Sequence, residues 1–186
     1  MIKYQAASTR EHIEAILKLQ QANLPKNIST QEAKAQGFVT VEHDIELLTA
    51  MNATYGHQIA LQSGQLAGYA LVMLRDFSKN VPVLLPFFDR LEHLKWEGIT
   101  MSRLAYFVIG QLCVSKSFRG MGVSKGLYQH LGARMKNDFQ LMVTEVSTRN
   151  KPSVIAHEKA GFQLIHQYHE KNGERWNVVG KNLKIN

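Results

Sequence analysis

A basic, glycine-rich turn lies in the second half of the chain, where a strand-like pattern gives way to a helical one. The strand-like run is Tyr106–Val114, and Arg119, Gly120, Gly122 and Lys125 follow it. Glycines allow a backbone to curl closely around a ligand, and the first turn of a helix offers free N–H groups at the positive end of its dipole. These residues indicate an anion site, most commonly for phosphate; taken alone, they could equally form a plain connection between strand and helix.

Two common phosphate-binding motifs fail on this turn. A P-loop requires a glycine five positions after Gly120, and the dinucleotide fingerprint G-x-G-x-x-G requires a glycine at that same position, where Lys125 stands. A third pattern, [R/Q]-x-x-G-x-[G/A], fits better. Arg119, Gly122 and Ser124 match it, with serine in place of the last small residue.

A second motif stands one helix and one strand further along, at Asn150–Phe162 (NKPSVIAHEKAGF). Together with Leu112–Leu127 (LCVSKSFRGMGVSKGL), it resembles the two signatures of the GNAT N-acetyltransferase superfamily, and the resemblance extends from about Tyr106 to Tyr168. The first segment is similar to the loop that binds the pyrophosphate of acetyl-CoA in that family. Either segment alone is a weak signal, whereas the pair at this spacing is fairly specific.

The second signature of that family usually has the form N-x-x-A-x-x-x-Y-x-x-x-G-F. Asn150, Gly161 and Phe162 match it, whereas Ser153 replaces the alanine and His157 the tyrosine. The family's tyrosine protonates the departing CoA thiolate, and an imidazole can also give a proton to sulfur, so His157 is a candidate general acid. The alternative is a helix histidine that bonds to backbone or solvent while a water supplies the proton.

The resemblance implies an acetyl-CoA-dependent N-acetyltransferase that moves an acetyl group directly to a primary amine of a small molecule or a protein. It also implies that the strand ending at Val114 and the strand Leu141–Ser147 splay apart around the pantetheine arm. The N–H of Cys113 or Val114 would then polarise the thioester oxygen. The residues expected to bind acetyl-CoA are Leu112, Cys113, Val114, Arg119, Gly120, Met121, Gly122, Val123, Ser124, Lys125 and Asn150.

Two of these residues carry alternatives. Asn150 would either bond to the pantetheine or cap its own helix. Cys113 is expected to be a small core residue rather than an acyl carrier, because the sequence places no histidine beside it and the family transfers the acetyl group directly.

A base is also needed, because the acceptor amine must lose a proton. Glu145, on the predicted strand beside acetyl-CoA, is the candidate base. The alternative is that its carboxylate makes a surface or structural pairing instead. No acidic residue falls within Tyr106–Val114, where some members of the family carry one. His93 and Glu97 are weaker candidates, and His43 is expected on a surface or a strand face.

A mixed α/β fold must position these residues. The patterns predict a strand, helices, a hairpin around Ser63 and Gly64, a strand, a helix, a strand, a helix and a closing hairpin. Ser8 and Glu11 predict a capping box at the first helix. With no repeat or linker, we expect one domain over residues 1–186. With the resemblance, the expected architecture is a mostly antiparallel central sheet flanked by helices, whose splayed central strands hold acetyl-CoA.

One long segment, Arg75–Arg103, interrupts this alternation. It contains Pro82, Pro86 and an amphipathic turn, and it is longer than an ordinary hairpin loop. Segments of this kind are often lids or recognition loops. We therefore expect it to shape the pocket for the acceptor.

Composition limits the partners and the location. The formal net charge is +7, but the basic residues are spread thinly, so a few residues aimed at a phosphorylated cofactor are favoured over a nucleic-acid surface. The single cysteine and the lack of a Cys/His cluster argue against a metal site. The first residues lack the apolar core of a signal peptide, and the longest apolar run, Val81–Phe88, is too short to span a bilayer. We expect a cytoplasmic protein with no membrane partner.

Two further function classes stay open. The replaced motif tyrosine allows a non-catalytic acyl-CoA-binding or sensor protein on the same fold, which would bind acetyl-CoA without turnover. A nucleic-acid-binding module would show steeply salt-dependent binding. The expected partner is an amine acceptor, either a small molecule or a protein, and a homodimer is left open.

Overall fold

The computed structural model describes residues 1–184. The strands are β1 (Lys3–Ala6), β2 (Gln58–Gln62), β3 (Gln65–Met73), β4 (Lys95–Trp96), β5 (Ile99–Thr100), β6 (Tyr106–Val114), β7 (Leu141–Ser147), β8 (Gln163–His169) and β9 (Arg175–Asn182). The helices are α1 (Arg10–Ala22), α2 (Thr30–Gln36), α3 (Ile45–Tyr55), α4 (Leu85–His93), α5 (Val123–Met135) and α6 (Lys151–Lys159).

Seven of these strands form one sheet in the order β1-β2-β3-β6-β7-β9-β8. It consists of two antiparallel halves, β1-β2-β3-β6 and β7-β9-β8. Within residues 1–184, the halves meet at a single parallel pairing, Tyr106–Val108 of β6 with Leu141–Val143 of β7, which we call the seam. Helix α5 connects these two strands, because parallel neighbours need a long crossover. The predicted mixed, mostly antiparallel sheet is confirmed.

Helices cover both faces of the sheet. On one face, α5 and α6 bury a cluster that includes Phe107, Leu127, Leu131, Met142 and Phe162. On the other, α1 and α3 bury a cluster that includes Ile16, Leu48, Ile59, Tyr69 and Leu71. The sheet is therefore apolar on both sides, and its central strands are buried between the helices.

The local signals in the sequence position most elements correctly. The hairpin between β2 and β3 turns at Ser63 and Gly64, both with positive φ, as predicted. The first helix differs by one residue. Its cap is Thr9, whose side chain accepts from the N–H of His12, and not the predicted Ser8. Both residues have hydroxyls that can cap, so the sequence alone did not distinguish them.

The segment Arg75–Arg103 is a packed element rather than a loop. It folds into 3₁₀ turns, α4 and the small hairpin β4–β5. Its large apolar side chains pack against the sheet, where they meet Val108, Val143 and Val178; these side chains are Phe87, Phe88, Leu91, Trp96 and Met101. In the part of the chain that the structure describes, no helix is long and apolar enough to cross a membrane.

Candidate active site

A cleft opens where the two halves of the sheet separate beyond the seam. At the point of separation, the Thr144 hydroxyl donates to the carbonyl oxygen of Ile109 at 2.9 Å. Beyond it, β6 remains paired with β3 and β7 with β9, while the facing edges 110–114 and 144–147 are not paired with each other. A β-bulge near Gly110 bends β6 at this point. The resulting cleft has a volume of about 580 Å³.

The glycine turn lies at one end of this cleft. Gly120 and Gly122 have φ of 78° and 76°, the left-handed region that favours glycine. A Cβ at either position would meet no atom within 4 Å, so open space lies in front of the turn. Gly122 is also the N-cap of α5, and no side chain bonds to the first N–H groups of that helix. The turn thus offers uncapped backbone donors at the positive end of a helix, which suits a phosphate group.

Arg119 points its guanidinium into the protein. Its Nη2 donates to Asn23 Oδ1 at 2.6 Å, its Nε to the Val114 carbonyl at 3.3 Å and its Nη1 to Glu32 at 3.3 Å. These contacts hold the end of α1 and helix α2 against the turn. Arg119, which the sequence predicted to bind acetyl-CoA, therefore has a structural task, and Lys125, the other cation beside the turn, is exposed.

Asn150 combines a cap with a tether. Its Oδ1 accepts from the N–H of Ser153 at 3.3 Å, which caps α6. Its Nδ2 donates to the carbonyl of Phe38 at 3.1 Å and so holds the segment after α2 across the cleft. A Cβ on Gly37 would lie 2.7 Å from Asn150 Oδ1, so this approach needs glycine at that position. Of the two predicted alternatives, the helix cap is present.

Cys113 lies in the cleft wall but is 6% exposed. Burial raises the pKa of its thiol to about 12. A thiol that remains protonated at neutral pH is a poor nucleophile, so the geometry agrees with the expected core residue rather than an acyl carrier. Leu112 and Val114 flank it, half-buried, and also line the cleft.

Glu145 lies on β7 in the wall of the cleft. The hydroxyl of Tyr168 donates to its Oε2 at 2.5 Å. Burial raises the pKa of the carboxyl to about 7; Glu170 adds to this effect, and the Tyr168 hydrogen bond and Arg90 oppose it. A carboxyl that titrates near neutral pH can both hold and release a proton under working conditions.

His157 is buried at the α6 side of the cleft, and both of its ring nitrogens are engaged. Nδ1 lies 2.7 Å from the carbonyl of Ser153, and Nε2 lies 2.9 Å from the hydroxyl of Tyr128. Because a carbonyl can only accept, Nδ1 carries the hydrogen and Nε2 accepts from the tyrosine. Burial lowers the pKa of His157, so the imidazole is neutral at neutral pH.

A buried polar network supports the cleft wall, and the sequence did not reveal it. Gln111 Oε1 accepts from Tyr69 at 2.5 Å and from Gln20 at 3.1 Å, and its Nε2 donates to the carbonyl of Val41 at 2.8 Å. His43, expected on a surface, is 2% exposed and bonds to Gln20. The expectation was wrong because the network supplies polar partners inside the core, which composition cannot show.

The long segment and its candidate residues lie elsewhere. Among residues 1–184, none of Arg75–Arg103, and so neither His93 nor Glu97, lines the cleft. Arg90 of this segment lies over the ring of Tyr168, whose hydroxyl bonds to Glu145 in the cleft wall. Within the same described residues, no group of three or more His, Cys, Asp or Glu side chains is arranged to hold a metal ion.

The comparisons with known proteins agree on the fold. The family model described as "Acetyltransferase (GNAT) family" matches residues 13–162. A search of curated proteins finds no significant match.

Several solved structures superpose on nearly the whole chain. The ribosomal-protein-S18-alanine N-acetyltransferase from Escherichia coli has 12% identity and a TM-score of 0.64, with 100% of this chain and 96% of that chain covered. YncA from Salmonella typhimurium, solved with its cofactor acetyl-CoA, has 14% identity and a TM-score of 0.62, with 100% and 95% covered. The NatC complex bound to Gag peptide and CoA has 15% identity and a TM-score of 0.64, with 97% and 98% covered. At these identities, the likeness shows the fold alone.

Proposed function

The chain belongs to the GNAT acetyltransferase family, whose co-substrate is acetyl-CoA, and on that premise we propose that it transfers an acetyl group to a primary amine of a small molecule or a protein. The observation that carries the proposal is the position of Glu145, a carboxyl with a pKa of about 7 in the wall of the cleft between the splayed strands. We include in the proposal a single domain and a cytoplasmic location.

Backbone groups supply most of the binding in this proposal. The N–H groups of the turn Gly120–Ser124 and the start of α5 meet the pyrophosphate, with Lys125 adding charge at the rim. The unpaired edge of β6 at Leu112–Val114 offers N–H and C=O groups to the extended pantetheine. An N–H of Cys113 or Val114 polarises the thioester oxygen. Arg119 and Asn150 act by holding α2 and the following segment in place.

Glu145 takes the proton that the amine must lose. Its carboxylate form dominates above pH 7, so the activity rises with pH through this region if the carboxylate is the base. The hydrogen bond from Tyr168 fixes one carboxylate oxygen and leaves the other for the amine or for a water that relays the proton.

His157 remains our candidate for returning a proton to the CoA thiolate, under a condition that its contacts set. An imidazolium carries a hydrogen on Nε2, which the hydroxyl of Tyr128 must accept instead of donating. Tyr128 also lines the cleft, so its own hydroxyl hydrogen would pass to the thiolate while Nε2 returns its proton to the tyrosine oxygen. Because burial lowers the pKa of His157, this form becomes scarce as the pH rises, and a water is the alternative proton source.

A panel of amines tests the proposal directly. CoA release from acetyl-CoA would be followed with a thiol reagent, against small primary amines and peptides with free N-termini. Peptides are included because one structural neighbour is named for a protein alanine and another is bound to a peptide. Acceptor-dependent CoA release in the wild type that is lost in Glu145→Gln supports the proposal. Tight acetyl-CoA binding with no acceptor-dependent release would favour the sensor alternative.

A further inference from the structure

The side chain of Arg90 lies directly over an aromatic ring beside the cleft. Its Cζ is 3.7 Å from the centroid of the Tyr168 ring, within the range of a cation–π contact. Arg90 comes from α4 and Tyr168 from the edge strand β8, so two separate elements meet at this point. Apart from its ring contact, Arg90 donates from Nη1 to the carbonyl of Pro86 in its own helix.

The same tyrosine contacts Glu145, so the three side chains form a line from the surface of α4 into the cleft. The hydroxyl of Tyr168 donates to Glu145 Oε2 at 2.5 Å, within the range of a charge-assisted bond from a hydroxyl to a carboxylate. Arg90 and Tyr168 are half-buried, which keeps solvent from fully screening the interactions between them.

The charge of Arg90 acts on both Tyr168 and Glu145. A cation over the ring withdraws electron density from the phenol, which makes its hydroxyl a stronger donor, and its charge also favours the ionised carboxylate. The charged and titratable groups that act on Glu145 are Tyr168 on β8, Glu170 just beyond β8 and Arg90 on α4. Burial and Glu170 both disfavour the carboxylate, and Arg90 is the cation that, after the hydrogen bond from Tyr168, opposes them in part.

We infer that Arg90 is a positioning residue for the reaction, which holds Tyr168 against Glu145 and keeps the Glu145 carboxylate available as the base. The inference rests on the proposed function. It gives the segment Arg75–Arg103 a catalytic consequence although none of it lines the cleft.

The packing of α4 does not depend on Arg90. The buried residues of this helix are Phe87, Phe88 and Leu91, on the face that meets the sheet. Replacing Arg90 by methionine keeps a side chain of similar length and removes the charge, the planar guanidinium and its exposed hydrogen bond to Pro86. We therefore expect Arg90→Met to fold, and Arg90→Lys to keep part of the effect because it retains a cation.

The test compares the pH dependence of kcat/KM for the wild type, Arg90→Met and Arg90→Lys, with Arg103→Met as a matched control on the exposed end of the same segment. Loss of a nearby charge is worth roughly one pH unit in a partly buried site. Arg90→Met should therefore be about tenfold less active at pH 6 and nearly equal to the wild type at pH 9. The lysine variant should fall between them, and Arg103→Met should follow the wild type.

A second measurement separates this inference from the proposed function. The ¹³C signal of the Glu145 carboxyl, assigned by its loss in Glu145→Gln, reports ionisation without any acceptor. A titration midpoint that rises in Arg90→Met supports the inference. Unchanged midpoints and unchanged pH profiles in Arg90→Met, with Glu145→Gln inactive, would overturn the inference and leave the proposed base standing. Full activity of Glu145→Gln would overturn the base assignment, and with it the role of Arg90.

Discussion

Replacing Glu145 by glutamine should stabilise the protein while it removes activity. Burial raises the pKa of this carboxyl from 4.5 to about 7. Between pH 4.5 and pH 7, the Glu145 carboxyl is ionised in the unfolded chain and still protonated in the folded chain. Ionisation therefore lowers the free energy of unfolding: there is no loss below pH 4.5, and the loss is complete above pH 7.

The size of the cost follows from the two pKa values. Each tenfold difference in proton affinity is worth about 1.4 kcal/mol, so the interval from 4.5 to about 7 corresponds to about 3 kcal/mol. Glutamine has the same shape, carries no charge, and can accept the hydrogen bond from Tyr168 through its Oε1. We expect Glu145→Gln to exceed the wild type in free energy of unfolding by about 3 kcal/mol at pH 8.5, and by little at pH 4.

Urea unfolding of the two proteins at pH 4, 5.5, 7 and 8.5 measures this difference. Effects of other titrating groups cancel in the comparison, because both proteins share them. Glu158→Gln, the same chemical change on the exposed side of α6, should show no such trend. A difference between Glu145→Gln and the wild type that stays constant with pH would refute the reasoning, since it would mean that burial does not penalise the Glu145 carboxylate.

Three further variants test the rest of the site. Gly122→Val should weaken acetyl-CoA binding at least about tenfold by calorimetry, because the side chain enters the space in front of the uncapped amides. Gly64 has a similar positive φ away from the cleft, so Gly64→Val controls for backbone strain. Equal acetyl-CoA affinity in the two variants would contradict a phosphate site at the turn. Turnover of His157→Ala and His157→Tyr from pH 6 to 9 tests the acid: a catalytic imidazole requires a large loss in the alanine variant and recovery with a flatter profile in the tyrosine variant. Arg119→Met should lower the free energy of unfolding by about 1 to 2 kcal/mol, because buried Asn23 loses its partner; weaker acetyl-CoA binding at unchanged stability would instead mean that the guanidinium meets the phosphates directly.

The sequence predicted the elements whose signals are local. The glycines of the turn and the hairpin at Ser63 and Gly64 each act through the backbone conformation of one or two residues. Such signals do not depend on what packs against them. The order of strands and helices followed, and with the two motifs it led to the correct sheet.

The parts that could not be predicted depend on contacts between distant residues. Arg75–Arg103 has prolines and mixed charges, which are typical of a loop, but its aromatic residues are buried against strands that lie far along the chain. Tyr168 gave no sign of bonding to Glu145, because the two are brought together only when β8 and β7 flank β9. Nothing local in the sequence reveals the partners of Arg119 at the end of α1 and on α2, so its part in holding these helices was not predicted.

The seam has a consequence for the whole molecule. Three residue pairs are a weak join between the two halves of the sheet, and the strands diverge at once beyond them. An extended arm that bonds to both exposed edges would continue the join and serve as a structural member of the sheet. Folding and co-substrate supply are then thermodynamically linked: at a concentration one hundred times its Kd, such a ligand adds about 2.7 kcal/mol to stability. The abundance of this protein in a cell would follow the level of its own acyl donor, through resistance to unfolding and proteolysis alone.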